Sequence, residues 1–185
     1  MSSVNKAKSF AMKKHKHQLR KDKKTPYWIH LRQVVQNLQK LGIKNKNILA
    51  AGWLHDTIED TDTDFDDIEE LFNKKTAQIV AQVTKDTRIP QKQREKNYLT
   101  QLKKAFWEAK AVKLCDILAN IADLENSGFS KLKKLKQVKD KLRDLSAIKH
   151  GIIQNKSKLS GLDKIEKQLN QLLIKYNQNI ISLVK

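Results

Sequence analysis

The stretch Leu54-His55-Asp56-Thr57-Ile58-Glu59-Asp60-Thr61 decides how the chain is read. It sets four ionisable groups within six residues, directly after the apolar residues Ile48, Leu49, Ala50, Ala51 and Trp53. Burying such groups costs on the order of several kcal/mol unless they are paired or bound to a cation. Read as one helix from near Asn47 into Glu59-Asp60-Thr61, the segment turns His55 and Asp56 about 100° apart into one cavity. Glu59 then stacks one turn after His55, and Asp60 one turn after Asp56.

Working outward, the pattern is helical throughout, and no strand-like alternation is sustained. A first helix is expected over 4–19, then a basic loop over 20–26 that ends in Pro26. A second helix carries His30, Val34, Val35, Leu38 and Leu41 and stops at Gly42. Residues 64–72 read as a short helix with acids in its first turn, 76–83 as an extension of it or another helix, and Ile89-Pro90 as a break. The segment 109–126 is apolar on more than one side, the mark of a central helix, so its Asp116, Asn120 and Asp123 stand out. A Lys-rich helix over 130–150, a loop within 151–161 and a last amphipathic helix over 159–184 complete the reading. An all-α fold follows, most simply one domain spanning 1–185.

The chain carries a formal charge of +18, with Lys concentrated in the first 24 positions and again over 131–149. Nucleic acid, an anionic membrane surface or a polyphosphate would each suit that balance. General solvation by a Lys-rich composition ranks ahead of specific nucleic-acid binding, and His15, His17 and His150, set among lysines, read as surface residues. The single cysteine, Cys115, excludes an intrachain disulfide. No apolar run approaches the roughly 20 residues that span a bilayer, and the first residues lack the apolar core of a signal peptide. A cytoplasmic location is expected.

Asp116 lies in an apolar surround and needs a cation or a cationic partner, and His30 follows the apolar Tyr27-Trp28-Ile29 as an inward-facing ligand would. Two His and two Asp from three helices form a mixed N/O donor set. It suits Mn²⁺, Fe²⁺ or Mg²⁺ better than a structural zinc, which favours cysteine. An ion of this kind lowers the pKa of a bound water and polarises a phosphoryl oxygen.

In order, His30, His55-Asp56 and Asp116 resemble the H…HD…D signature of HD-domain metal-dependent phosphohydrolases. Leu54 to Thr61 is similar to the HD-x-x-ED motif of the (p)ppGpp hydrolases within that family. Gln18-Leu19-Arg20-Lys21, followed by Thr25-Pro26-Tyr27 and His30, resembles their basic nucleotide-binding loop and first metal ligand. Lys113-Leu114-Cys115-Asp116-Ile117-Leu118-Ala119-Asn120 is similar to their K-L-x-D-x-L-x-N helix, and Val83-Thr84-Lys85-Asp86 to a stretch between the motifs. The match covers residues 7–126, with 127–185 expected to complete a bundle of roughly eight to ten helices.

The resemblance, closest to the small hydrolase-only alarmone enzymes, implies one Mn²⁺ per chain on His30, His55, Asp56 and Asp116. It implies that Glu59 and Asp60 orient or activate water, that Arg20 and Lys21 lie against the guanine or the sugar-phosphate, and that Asn120 lies near the ribose. The implied reaction releases pyrophosphate from the 3′ position of ppGpp or pppGpp, leaving GDP or GTP. Family members usually carry Pro where this chain has Leu31 and Lys or Arg where it has Ile117, and Arg88 stands as a shifted substitute in the middle stretch. Those departures keep a second substrate class open, another nucleotide such as NADPH. A third reading, a basic nucleic-acid binder on the same fold, rests on charge alone, and its binding would fall steeply with salt. Neither a membrane partner nor a specific nucleic acid is expected.

Overall fold

The computed structural model describes residues 3–184; Met1, Ser2 and Lys185, the ends of the expected 1–185 unit, lie outside the described residues. Ten α-helices follow one another among them. They are α1 (Ser3–Lys14), α2 (Trp28–Lys40), α3 (Lys46–Leu54), α4 (Thr57–Asp60), α5 (Phe65–Leu71), α6 (Lys74–Val83), α7 (Gln91–Lys104), α8 (Trp107–Asp123), α9 (Lys131–Gln154) and α10 (Leu162–Lys175). The described residues form no strand; one isolated β-bridge pairs Leu19 with Pro26. The fold is the all-α bundle expected from the sequence.

Capping side chains mark several starts. Asn45 accepts from the backbone of Asn47 and Ile48 at α3, Asp64 and Asp67 form a reciprocal capping box at α5, and Asn73 and Ser130 cap α6 and α9. α2 ends where Gly42 adopts φ +93°, a conformation open to glycine at little cost. Its last turn is pinned from the far end of the chain, with the Gly161 N–H donating to the Leu41 carbonyl at 3.2 Å.

α8 runs through the middle. Every residue from Ala109 to Ala119 is buried, and α2, α3, α6, α9 and α10 pack around it. Helices from both halves of the chain thus close over the helix that carries Asp116.

Several boundaries differ from expectation. α1 stops at Lys14, and a compact turn follows in which the Asp22 carboxylate accepts from the backbone of Lys24 and Thr25. The single helix expected through His55 and Asp56 is interrupted: α3 ends at Leu54, and the Thr57 hydroxyl donates to the Leu54 carbonyl at 2.6 Å before α4 begins. α9 continues through Gly151 to Gln154, and the Lys110 side chain passes close over Gly151. α10 ends at Lys175, not near Val184. The chain then folds back, with Asn170 bonded to both the N–H and the carbonyl of Ile181.

Candidate metal and phosphate site

α2 and the α3–α4 junction bring His30 and His55 against α8. One atom from each of His30, His55 and Asp56 lies within 4.8 Å of the others. His55 Nε2 is 3.0 Å from Asp56 Oδ2 and 3.6 Å from Asp116 Oδ1. His30 Nε2 is 3.2 Å from Asp116 Oδ1 and 3.6 Å from Asp56 Oδ2. Although so close, both Nε2 atoms are buried without any contact of hydrogen-bond geometry. His30, His55 and Asp56 form the mutually close set, and Asp116 Oδ1 stands beside both imidazoles. Buried orphan nitrogens facing two carboxylates fit a divalent cation, since paired hydrogen bonds would otherwise be expected there.

The surroundings orient each donor. His55 Nδ1 lies 2.9 Å from the Gly52 carbonyl; with the proton on Nδ1, Nε2 faces the cluster. Asp56 Oδ2 accepts from the Tyr27 hydroxyl at 2.6 Å. Asp116 is divided: Oδ1 faces the imidazoles and accepts from Asn120, while Oδ2 accepts from Lys113 Nζ at 2.9 Å.

Burial pushes His30 down from its ordinary pKa. Burial opposes charge on His55 too, yet Asp56 beside it, with Asp116, holds it up at about 10. Asp56 is held below the carboxylate range by its imidazole neighbours, against the pull of burial. Two largely buried carboxylates beside two imidazoles favour positive charge at this point.

Next to the cluster is a cavity of about 270 Å³. Glu59 and Asp60 border it. The Glu59 carboxylate accepts the Lys85 backbone N–H at 2.9 Å, and Asp60 accepts from Gln18 at 3.4 Å. Both carboxyls are raised, first by burial; the Asp56 charge adds to the rise. The cavity wall is cationic, with Lys21, Lys85, Lys113 and Lys141 all lining it. Lys21 is lowered to about 8 by burial, and next by Lys141 and Arg20. Acid on one side and ammonium on the other make a place for a phosphorylated anion.

A family model described as HD domain matches residues 7–153. The chain belongs to the HD-domain family. It is 41% identical over 121 residues to the guanosine-3′,5′-bis(diphosphate) 3′-pyrophosphohydrolase MESH1 of Xenopus tropicalis, a match covering 64% of this chain and 68% of that protein. It is 33% identical over 176 residues to the guanosine-3′,5′-bis(diphosphate) 3′-pyrophosphohydrolase of Aquifex aeolicus, covering 94% of this chain but only 24% of that longer protein. The chain thus spans about two thirds of the length of the MESH1 relative. Among solved structures, a metazoan ortholog of SpoT described as hydrolysing ppGpp superimposes with a TM-score of 0.80 at 26% identity, covering 95% of this chain and 96% of that one.

Within this HD-domain site, the expected residues fall into two groups. His30, His55, Asp56 and Asp116 converge, and Glu59, Asp60 and Lys21 border the adjoining cavity. Arg20 and Asn120 also line it, but both are engaged inside the protein. The Arg20 guanidinium donates to Asp123 at 2.9 and 2.6 Å and to Asn120 at 3.3 Å, and stacks over Tyr27. Asn120 donates in turn to Asp116. Asp123 therefore pairs with Arg20 across the site.

Of four further contributors, Tyr27, Lys85 and Lys113 lie in motif stretches quoted from the sequence without a role of their own, and Lys141 was not read from it. Tyr27 binds Asp56 directly, and Lys85, Lys113 and Lys141 supply the cationic wall. Lys141 had a readable signal: Val138, Lys141, Leu145, Ile148 and Ile152 follow the 3–4 spacing of an inward helix face. His15 is buried, not at the surface, with Nδ1 2.5 Å from Gln18 Oε1 and its ring stacked on Tyr27. His17 and His150 are exposed. Among the described residues no helix is long and apolar enough to cross a membrane.

Proposed function

We propose that this chain hydrolyses the 3′-pyrophosphate of guanosine tetra- and pentaphosphate to GDP or GTP and pyrophosphate, with one Mn²⁺ held by His30, His55, Asp56 and Asp116. The observation that carries the reading is the convergence of buried, hydrogen-bond-free imidazole nitrogens and two carboxylates beside a lysine-walled cavity. The names borne by the MESH1 and Aquifex relatives and by the SpoT ortholog select guanosine bis(diphosphate) among phosphorylated anions.

A bound Mn²⁺ would polarise the phosphoryl oxygen and acidify a water. The residues of the chain do the rest. Glu59, raised by burial and fixed by the Lys85 amide, takes the proton of the attacking water, and Asp60 orients that water. Lys21 and Lys141 draw the phosphates in and offset the charge on the phosphoryl oxygens, while Lys85, paired with Glu95 at 3.0 Å, adds to the cationic wall; as the bond to the 3′-oxygen breaks, its electron pair passes to that oxygen. Glu59 then returns that proton to the 3′-oxygen, which leaves as the ribose hydroxyl.

Residues 1–185 act as one HD-type unit in this reading, since α9 contributes Gln137 and Lys141 to the same cavity as the N-terminal motifs. The surroundings are cytoplasmic, with neither a membrane nor a specific nucleic acid as partner. One observation favours a broader substrate range that includes NADPH. Arg20 and Asn120, the residues expected at the nucleoside, are engaged with Asp123 and Asp116, so the free cavity groups recognise phosphate more than base. Purified protein with added Mn²⁺, assayed on ppGpp, pppGpp and NADPH beside a Glu59→Ala/Asp60→Ala variant, tests the proposal. The expected result is rapid pyrophosphate release from the guanosine substrates and none from the variant. Exclusive turnover of NADPH would overturn the substrate assignment, and an active variant would overturn the acid pair.

A further inference from the structure

α9 lies outside the motif region, yet it carries a buried carboxylate, Asp144, in an otherwise Lys-rich sequence. Asp144 Oδ2 is 3.5 Å from Lys113 Nζ, and the side chains of both are only 7% exposed. Lys113 sits between two acids, for its Nζ is also 2.9 Å from Asp116 Oδ2. The face of Tyr98 covers the ammonium at 5.2 Å, and the Tyr98 hydroxyl is itself fixed to the Val83 carbonyl at 2.8 Å. A line of contacts therefore runs from α9 to Asp116 Oδ1, which faces both imidazoles.

We propose that Asp144 is a positioning residue for the metal site, acting by anchoring the Lys113 ammonium that orients the Asp116 carboxylate; the inference rests on the metal reading given above. Lys113 alone beside Asp116 would form a neutral pair and draw charge away from Oδ1. Asp144 shares the ammonium and, with Asp116, balances the charges of Lys113 and the neighbouring Lys141, leaving Oδ1 available to a cation. Neutralising Asp144 removes both effects, and loss of groups that orient a ligand typically weakens metal affinity about 10- to 100-fold. The role also accounts for an acid at a core position, which an unpaired carboxylate could not occupy.

The test uses the full chain in two measurements. Calorimetric titration with Mn²⁺ is expected to show Asp144→Asn binding about 10-fold more weakly than wild type. Asp144→Glu, which keeps the charge, should restore most of the affinity, and Asp140→Asn, at a half-buried acid of the same helix that pairs only with Arg143 in the described ion pairs, should leave it unchanged. In the metal-free protein, the ¹⁵N ammonium signal of Lys113, assigned by its loss in Lys113→Arg, should be protected from exchange and should lose that protection in Asp144→Asn. Wild-type affinity in folded Asp144→Asn overturns the proposal, as does an unprotected Lys113 signal in the wild type, which needs no variant at Asp144 to fold. Wild-type protein that binds no Mn²⁺ overturns the metal reading instead, while the Lys113 signal still decides whether the relay exists.

Discussion

Replacing Asp123 with alanine isolates the contact that holds the basic loop onto α8. The Arg20 side chain is 7% exposed and the Asp123 side chain 30% exposed, and the carboxylate takes two guanidinium N–H groups at 2.9 and 2.6 Å. Breaking a fully buried pair from one side costs about 3–5 kcal/mol, because the remaining charge stays buried. Here water reaches the Asp123 edge, and Asn120 Oδ1 at 3.3 Å and the Tyr27 face remain as partners. The expected loss is therefore smaller, about 2 kcal/mol. For a chain of this length that is a drop in Tm of roughly 4–8 °C. Thermal unfolding followed by circular dichroism measures it. The double variant Arg20→Met/Asp123→Ala should recover part of the loss, since no unpaired guanidinium is left behind. A single variant that melts within about 1 °C of wild type, or a double variant no more stable than the single, would refute the account of Arg20 as an internal lock.

Three further outcomes follow from the same geometry. Lys21, pushed down to about 8 by burial, is charged below that pH and neutral above it; kcat/KM for a phosphorylated substrate should fall as pH rises through about 8, and a pH profile of Lys21→Met should lack that limb. Gly161→Ala places a Cβ 1.9 Å from the Lys40 carbonyl oxygen, and because backbone cannot yield there, a loss of about 3 kcal/mol should appear in a denaturant titration. Saturation with a divalent ion at roughly 1,000 times its Kd should stabilise the fold by about 4 kcal/mol, raising Tm by about 8 °C or more in differential scanning fluorimetry.

The residues proposed as metal donors were legible as buried polar groups because polarity at apolar helical positions has few structural explanations: His30, His55 and Asp116 each stand in a buried run. The break between α3 and α4 was not, since Asp56 keeps right-handed backbone angles and only a side-chain bond from Thr57 diverts the ladder. Gly151 misled in the opposite sense, reading as a helix end although α9 runs through it with the Lys110 side chain close above. His15 was hidden by its lysine neighbours, which point outward while it packs on Tyr27. The cationic wall escaped because net charge does not say which lysines turn inward; Lys85, Lys113 and Lys141 come from three separated segments that only the packing around α8 unites.

The most direct test strips the full chain with chelator and follows pyrophosphate release from ppGpp as Mn²⁺ is added back. The account predicts no turnover in chelator, recovery that saturates at one ion per chain, and no recovery in Asp56→Ala. Steady turnover in chelator, or full activity in Asp56→Ala, would contradict it.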